Sequence, residues 1–200
     1  MAISLEKGQK VSLEKKSAAG LGEILVNLNW NSTPISKGFF GLLFGSNGID
    51  LDLGCLYELK NGDKGAVQAL GNSFGSLEQP PFVSLDGDDR TGASEAGENL
   101  RINGDHIRDI KRILVYTFIY DGIANWKQAD AAVTIKYPGS EDIFVKMDSY
   151  STSKIVCALA LFENSGDQTF SVEKIVQFYK NHIEMDQAFH WDLQWMEGTK

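Results

Sequence analysis

Short stretches in which apolar and polar residues alternate recur along the whole 200-residue chain. This alternation puts every second side chain on the same face, which is typical of half-buried β-strands. Clusters of Gly, Asn, Asp and Pro separate the stretches, as turns between strands do. The pattern predicts strands at residues 23–30, 49–59, 66–70, 82–86, 99–103, 113–120, 132–137, 142–147, 154–163, 170–179 and 191–195.

Two similar segments open the chain, one beginning at Ile3 and the other at Val11, with Gly8 between them. Each segment alternates apolar and polar positions. Because a glycine separates two alternating stretches, the pair predicts a β-hairpin with one buried face.

Helical signals are confined to two short segments. Residues 105–111 fit a single turn, and residues 181–189 fit a short helix with Asn181 as its N-cap. The chain has 42% hydrophobic residues, enough for a sizeable core, and no linker divides it. We therefore predict an all-β, single-domain β-sandwich of two mainly antiparallel sheets over residues 1–200, with one or two short helices.

Composition excludes several classes of function. A net charge of -8 argues against nucleic-acid binding, which needs clustered Lys and Arg. No segment approaches the roughly 18 consecutive apolar residues of a membrane span, and the N-terminus has no apolar signal core. Cys55 and Cys157 lie in apolar runs, where a free cysteine behaves as a small buried hydrophobe. These observations predict a reduced, cytoplasmic protein that does not insert into membranes.

The negative charge is concentrated in one third of the chain. Between Gly48 and Asp105 there are eleven acidic residues against four basic ones. Such a local excess repels itself unless a cation or a partner neutralises it.

Two aspartates in this region share one face of a predicted strand. Asp50 and Asp52 alternate with Ile49, Leu51 and Leu53, so the apolar side chains face the core and the carboxylates face away from it. Positions two apart on a strand are about 6–7 Å from each other. The resulting repulsion is roughly 0.6–2.5 kcal/mol, which a bound cation would relieve.

A glycine-rich acidic segment follows at residues 86–99, with five carboxylates and three glycines. Ca²⁺ takes six to eight oxygen ligands in flexible geometry, whereas Mg²⁺ demands a stricter octahedron and Zn²⁺ prefers His and Cys. We therefore predict a calcium site that bridges the aspartate pair and this segment. Its expected ligands are Asp50, Asp52, Asp88, Asp89, Glu95 and Glu98.

The segment does not fit an EF-hand. A loop beginning at Asp86 would place Arg90 at position 5, Thr91 at position 6 and Gly97 at position 12, where an oxygen ligand, Gly and Glu are required. The alternative that these acids form solvated loops, with Arg90 as their counter-ion, stays open on spacing alone.

The chain resembles the TerD-domain family of tellurium-resistance and stress proteins, through the runs at residues 4–13, 48–56, 68–72 and 85–92. Its C-terminal part is similar to the TerA branch of that family, at Phe178, His182, Met185, Asp186 and Trp195. The resemblance implies a β-sandwich that binds one or two calcium ions and has no known catalysis. It also implies a role in resistance to tellurite and other stresses, with other tellurium-resistance proteins as partners, at the inner face of a membrane.

The same resemblance assigns the acidic residues. Asp50 and Asp52 match the paired aspartates of the family, and Asp88 and Asp89 match its acidic block. Glu95 and Glu98 fall where family members often carry more carboxylates, which weakens the case for a second ion.

Enzymatic alternatives find less support. His106, His182 and His190 are scattered, and none accompanies a nucleophile motif. His182 and Asp186 are four residues apart on the predicted helix, so we interpret them as a surface or capping pair. The remaining alternative is a carbohydrate- or polyol-processing enzyme on a lectin-like sandwich that uses the acidic cluster.

Overall fold

A computed structural model describes residues 2–13, 20–31, 49–86, 97–121, 126–151 and 153–196 of the chain. In these ranges it has thirteen strands and two short α-helices. The strands are β1 (Ile3–Ser4), β2 (Lys10–Ser12), β3 (Glu23–Asn29), β4 (Asp50–Leu59), β5 (Lys64–Gln68), β6 (Gly75–Ser76), β7 (Val83–Leu85), β8 (Glu98–Asn103), β9 (Ile110–Asp121), β10 (Ala132–Lys136), β11 (Ile143–Lys146), β12 (Val156–Ser165) and β13 (Thr169–Tyr179). The helices are α1 (Trp126–Ala129) and α2 (His182–Phe189).

The strands form two sheets. The seven-stranded sheet has the order β1-β11-β10-β3-β8-β7-β6, and the six-stranded sheet has the order β2-β13-β12-β9-β4-β5. The pairs are antiparallel except for β1 and β11, which run parallel. The predicted all-β sandwich of two mainly antiparallel sheets is confirmed.

Alternating side chains of both sheets supply the core. On β3, for example, Ile24, Val26 and Leu28 are fully buried, whereas the residues between them are partly exposed. A second apolar cluster includes Leu56, Tyr116 and Phe118, which lie on the other face of the six-stranded sheet, and Met185 of α2. The six-stranded sheet is therefore apolar on both faces, with α2 on its outer side.

Both cysteines belong to the core, as predicted. Cys55 and Cys157 are free and fully buried. Burial raises the pKa of the Cys55 thiol to about 12 and also raises that of Cys157. Both thiols are therefore protonated and poorly reactive near neutral pH.

The predicted N-terminal hairpin is wrong. β1 pairs with β11 in one sheet, at Ile3 and Ile143, whereas β2 pairs with β13 in the other, at Val11 and Val172. Gly8, with a φ of 77°, lies in the turn between them. Alternation correctly indicated that each segment is a strand, but it carries no information about which strand is the partner.

Predictions near the helical segments have mixed outcomes. The α2 helix forms as expected, and the Asn181 side chain accepts a hydrogen bond of 2.8 Å from the Glu184 amide. In place of a turn over 105–111, a short 3₁₀ turn covers Gly104–His106 and β9 begins at Ile110. Residues 191–195 do not form the predicted strand.

The described ranges include no helix that is long and apolar enough to cross a membrane.

Candidate functional site

The predicted acidic residues that the structure describes, Asp50, Asp52 and Glu98, lie at one end of the sandwich. β4 and β8 begin at this end, and β3, β7 and β9 finish there, because Leu28 pairs with Glu98 and Asp50 pairs with Asp121. The connections at residues 32–48, 87–96 and 122–125 start and finish at the same end. We call the region formed by Asp50, Asp52, Asp86, Gly97 and Glu98 the acidic end.

Asp50 and Asp52 lie on β4 as the alternation predicts. Leu51 and Leu53 are fully buried in the core between the sheets, so the two aspartates belong to the outer face of the six-stranded sheet. Asp52 has an exposed fraction of 0%, whereas Asp50 is only partly buried. Ionised carboxylates are rarely buried to this degree without a positive charge or hydrogen-bond donors nearby.

Glu98 reaches Asp52's strand from the opposite sheet. It begins β8 and is 3% exposed. Its Oε2 atom accepts a hydrogen bond of 2.6 Å from the backbone amide of Leu53. That amide belongs to the peptide between Asp52 and Leu53, so Glu98 links β8 to the strand that holds the aspartate pair.

The acidic segment is anchored at the same place. Before it, the Asp86 amide bonds to the Asn99 carbonyl at 2.9 Å, and after it Gly97 leads directly into Glu98. Asp88, Asp89 and Glu95, the other predicted ligands, lie outside the described residues, as does Arg90. The described anchors fix both ends of that segment beside Glu98.

Asp86 has a different partner. Its two carboxylate oxygens accept hydrogen bonds of 3.0 to 3.3 Å from Arg101 on β8. Arg101 also donates a hydrogen bond of 2.5 Å to Glu23 on β3. These two carboxylates raise the pKa of Arg101 and keep it charged. Asp86, the first acid of the segment, is therefore neutralised by Arg101. Its neighbours in the sequence did not indicate this pairing.

The described residues do not complete a metal centre. Within the ranges given above, no group of three or more His, Cys, Asp or Glu side chains is arranged to hold a metal ion. Asp50, Asp52 and Glu98 contribute oxygen donors, which suit a hard cation such as Ca²⁺. Further ligands would have to come from elsewhere, and Asp86 and Gly97, which flank residues 87–96, lie at the same end of the sandwich.

Comparison with known proteins identifies the family. The TerD domain model matches residues 1–136 of the chain.

The chain belongs to the TerD-domain family.

Characterised relatives carry the names of resistance and stress proteins. The chain is 42% identical over 200 residues to tellurium resistance protein TerA from an Alcaligenes species, and the match covers 99% of this chain and 58% of the relative. It is 32% identical over 140 residues to tellurium resistance protein TerX from Serratia marcescens, covering 61% of this chain and 64% of TerX. It is 36% identical over 126 residues to stress response protein SCP2 from Bacillus subtilis, covering 60% of this chain and 62% of SCP2. The chain thus spans about three fifths of the length of each relative.

Solved structures support the TerD-domain fold. A homologue of telluride resistance protein TerD from Streptomyces coelicolor has a TM-score of 0.56 and 15% identity, covering 81% of this chain and 92% of the other. A protein of unknown function has a TM-score of 0.59 and 13% identity, with the same coverage. At these identities the likeness concerns the fold alone.

The part of the chain after the TerD domain match supplies α2 and the half-buried His182. Its ring packs against Tyr116, Phe118 and Trp195, with centroid separations of 5.4, 4.8 and 5.2 Å. The predicted pairing of His182 with Asp186 is wrong. Asp186 accepts hydrogen bonds from the residues that follow α2, so it holds the C-terminal segment and not the imidazole.

The environment of His182 predicts a pH-dependent stability. Desolvation lowers its pKa from 6.5 to about 4, so folding favours the neutral ring. The stability this contributes is complete above about pH 6.5 and is lost as the pH falls towards 4, because the unfolded chain then binds a proton that the folded chain does not. We expect a loss of about 2 kcal/mol in the free energy of unfolding between pH 7 and about pH 5.

Urea unfolding of the wild type and of His182→Phe at both pH values measures this effect. Phenylalanine suits the aromatic surroundings and cannot titrate, so the variant should lose about 2 kcal/mol less than the wild type on acidification. Carboxylate titration is common to both proteins and cancels in the comparison. Equal losses in the two proteins would contradict the assignment.

Proposed function

We propose that this TerD-domain chain is a calcium-binding, non-enzymatic protein that acts as a sensor or scaffold in tellurium resistance and the stress response. The observation that carries the proposal is the 2.6 Å hydrogen bond between Glu98 and the Leu53 amide. It draws a buried carboxylate of one sheet to the strand of the other sheet that holds Asp50 and Asp52.

The chemistry of these donors favours calcium. All three are carboxylates on the ends of strands, and Ca²⁺ prefers oxygen ligands from carboxylates and backbone carbonyls. Asp50 and Asp52 are two positions apart on β4 and repel each other when both are ionised, and a divalent cation would remove that repulsion. Residues 87–96 would complete the coordination, with Asp88, Asp89 and Glu95 as ligands, for one calcium ion or two.

A sensing or scaffolding role follows from where the ion would lie. Both sheets and the acidic segment would contact it, so its binding would add a link between elements that Glu98 also joins. The curated relatives are named for tellurium resistance or stress response, and none of the three is named as an enzyme. We place the protein in the cytoplasm and the whole chain in one domain, consistent with its reduced, buried cysteines.

Calcium titration tests the proposal. Isothermal calorimetry should detect Ca²⁺ binding that Mg²⁺ does not reproduce, and calcium at about 100 times its Kd should stabilise the fold by about 2.7 kcal/mol. For a protein of this size that corresponds to a rise in melting temperature of about 5–10 °C. Asp52→Asn should abolish both effects, yet melt no lower than the wild type without calcium, because the substitution relieves repulsion between carboxylates.

Asp63→Asn provides the matched control, because Asp63 is an exposed residue in the turn at the far end of β4. It should keep the full response to calcium. A wild-type melting temperature that is the same in calcium and in chelator would overturn the proposal. An acidic cluster that serves catalysis would instead lose turnover in Asp52→Asn and keep its metal-dependent stability.

The proposal extends to protein partners that bind when calcium is present. We infer that calcium bound beside residues 87–96 creates a surface for other tellurium-resistance proteins at the inner face of a membrane. Affinity purification of the tagged chain with calcium and with chelator tests this. Partners that are recovered equally under both conditions would argue against a calcium-dependent surface.

A further inference from the structure

A groove runs along β10 on the outer face of the seven-stranded sheet. β10 lies between β3 and β11, and its outward residues Ala132 and Thr134 are small. Ala132 pairs with Asn29 on one side, and Thr134 pairs with Phe144 on the other. The larger side chains on the neighbouring strands therefore project farther from the sheet than those of β10 do. The resulting cavity measures about 360 Å³.

The walls of the groove are held in place by the fold. Trp30 donates a hydrogen bond of 3.0 Å from its Nε1 atom to the Ile49 carbonyl. The Asn31 amide donates to the Ala129 carbonyl at 2.7 Å. The side chain of Asn29 donates a hydrogen bond to Asn27 on the same face of β3. These bonds fix the side chains of Asn29 and Trp30 and the backbone of Asn31, so this wall of the groove is formed before any ligand enters.

One of the residues that line the groove, Asp130, is charged. Asp130 follows α1, adopts a φ of 42°, and its amide bonds to the Trp126 carbonyl at 3.2 Å. Its carboxylate lies 3.4 Å from the Lys146 ammonium group. The lining therefore offers one carboxylate, already offset by a lysine, and does not select a charged ligand.

We propose that this groove binds an uncharged polyhydroxylated ligand, a saccharide or a related polyol. Asn29, Asn31, Asp130 and Thr134 line it with amide, carboxylate and hydroxyl groups, which together donate to and accept from vicinal hydroxyls. Trp30 and Phe144 add aromatic rings, whose electron-rich faces attract the weakly positive C–H groups of a sugar ring.

The alternatives fit less well. A nucleotide or other anion would meet the Asp130 carboxylate, and among the described residues the cation paired with that carboxylate is Lys146. A purely apolar ligand would leave four polar side chains without the water that now solvates them. The inference goes beyond the proposed function and does not depend on calcium, since the residues that carry it are separate from Asp50, Asp52 and Glu98.

Titration of the isotopically labelled protein in calcium-containing buffer tests the proposal. The probes are D-glucose, D-galactose, D-mannose, N-acetyl-D-glucosamine, maltose and glycerol, followed by amide NMR spectra. At least one should produce saturable shifts in the amides of Asn29, Asn31 and Thr134. Shifts that grow linearly without saturating, or no shifts with any probe, would overturn the proposal.

Two variants locate the binding. Ala132→Ile fills the groove with a strand-favouring side chain and should abolish binding, whereas Ser84→Ile makes a similar change on β7 of the same sheet and should not. Thr134→Val keeps the shape and removes the hydroxyl, so it should weaken binding about fivefold. Melting curves establish that each variant is folded. Binding that is unchanged in both Ala132→Ile and Thr134→Val would refute the assignment of the groove.

Discussion

Asp186→Asn is expected to lower the free energy of unfolding by about 3 kcal/mol. The Asp186 carboxylate is 3% exposed, and it accepts hydrogen bonds from the amides of Asp192 at 3.0 Å and Leu193 at 3.1 Å. It also accepts one of 3.2 Å from Nε1 of Trp195. An asparagine would turn its NH₂ group towards at least one of these donors, and each hydrogen bond to a charged group contributes about 1.5–3 kcal/mol.

Urea unfolding at neutral pH measures the effect. Asp192→Asn is the matched control, because Asp192 is exposed, only six residues away, and adopts a φ of 60° that asparagine tolerates. The control should lie within about 0.5 kcal/mol of the wild type. A comparably small change in Asp186→Asn would mean that the carboxylate does not hold the segment after α2.

Arg112→Ala should be similarly severe, with a loss of about 4 kcal/mol. The guanidinium group lies 3.7 Å from the centre of the Trp191 ring and donates hydrogen bonds of 3.0 Å to the carbonyls of Phe189 and His190. It also donates a 2.5 Å hydrogen bond to Glu58, which is 5% exposed. Removing it would detach the C-terminal end of α2 and leave the Glu58 carboxylate with one cation fewer.

The pKa of Glu58 reflects the competition between its burial and its two cationic partners. Burial disfavours the ionised form, but hydrogen bonds from Lys111 and Arg112 outweigh it and lower the pKa. Lys111→Ala is the control. Its side chain is 56% exposed, so its ion pair at 2.7 Å should contribute no more than about 1 kcal/mol. Urea unfolding measures both losses of unfolding free energy. Equal losses in Arg112→Ala and Lys111→Ala would contradict the prediction that the exposed lysine contributes less than the arginine.

The local pattern of apolar and polar residues was sufficient to predict where most of the strands lie. β3, β4, β9 and β13 lie where strands were predicted. β3 and β13 alternate because one face of each is buried, whereas β4 and β9 are buried on both faces. The pairing of strands was not predictable in the same way. β1 and β2 were expected to pair with each other because they are neighbours in sequence. Instead β1 pairs with β11 in one sheet and β2 pairs with β13 in the other.

The acidic end shows the same limit. Alternation placed Asp50 and Asp52 on the face opposite Leu51, which the structure confirms. It could not indicate that Asp52 would be fully buried, nor that Glu98 would reach the Leu53 amide, because both depend on how the two sheets pack. Asp86 opens the glycine-rich acidic segment and was not among the predicted ligands, and its pairing with Arg101 was not indicated by the sequence either.

The error at α2 had a simpler origin. Residues four apart on a helix are neighbours, so His182 and Asp186 fit an interacting pair. The spacing says nothing of competing donors, and backbone amides beyond the helix satisfy Asp186. The same carboxylate explains why residues 191–195 alternate without forming a strand, since it fixes their backbone against the sheet.

The separation of β1 and β2 into different sheets also constrains how the chain acquires its fold. Each of them has a partner far along the sequence, since Ile3 pairs with Ile143 and Val11 pairs with Val172. β1 can therefore dock only after β11 has been synthesised, and β2 only after β13. Pairings between such distant segments slow folding, and until then the edges of nascent strands remain available for aggregation.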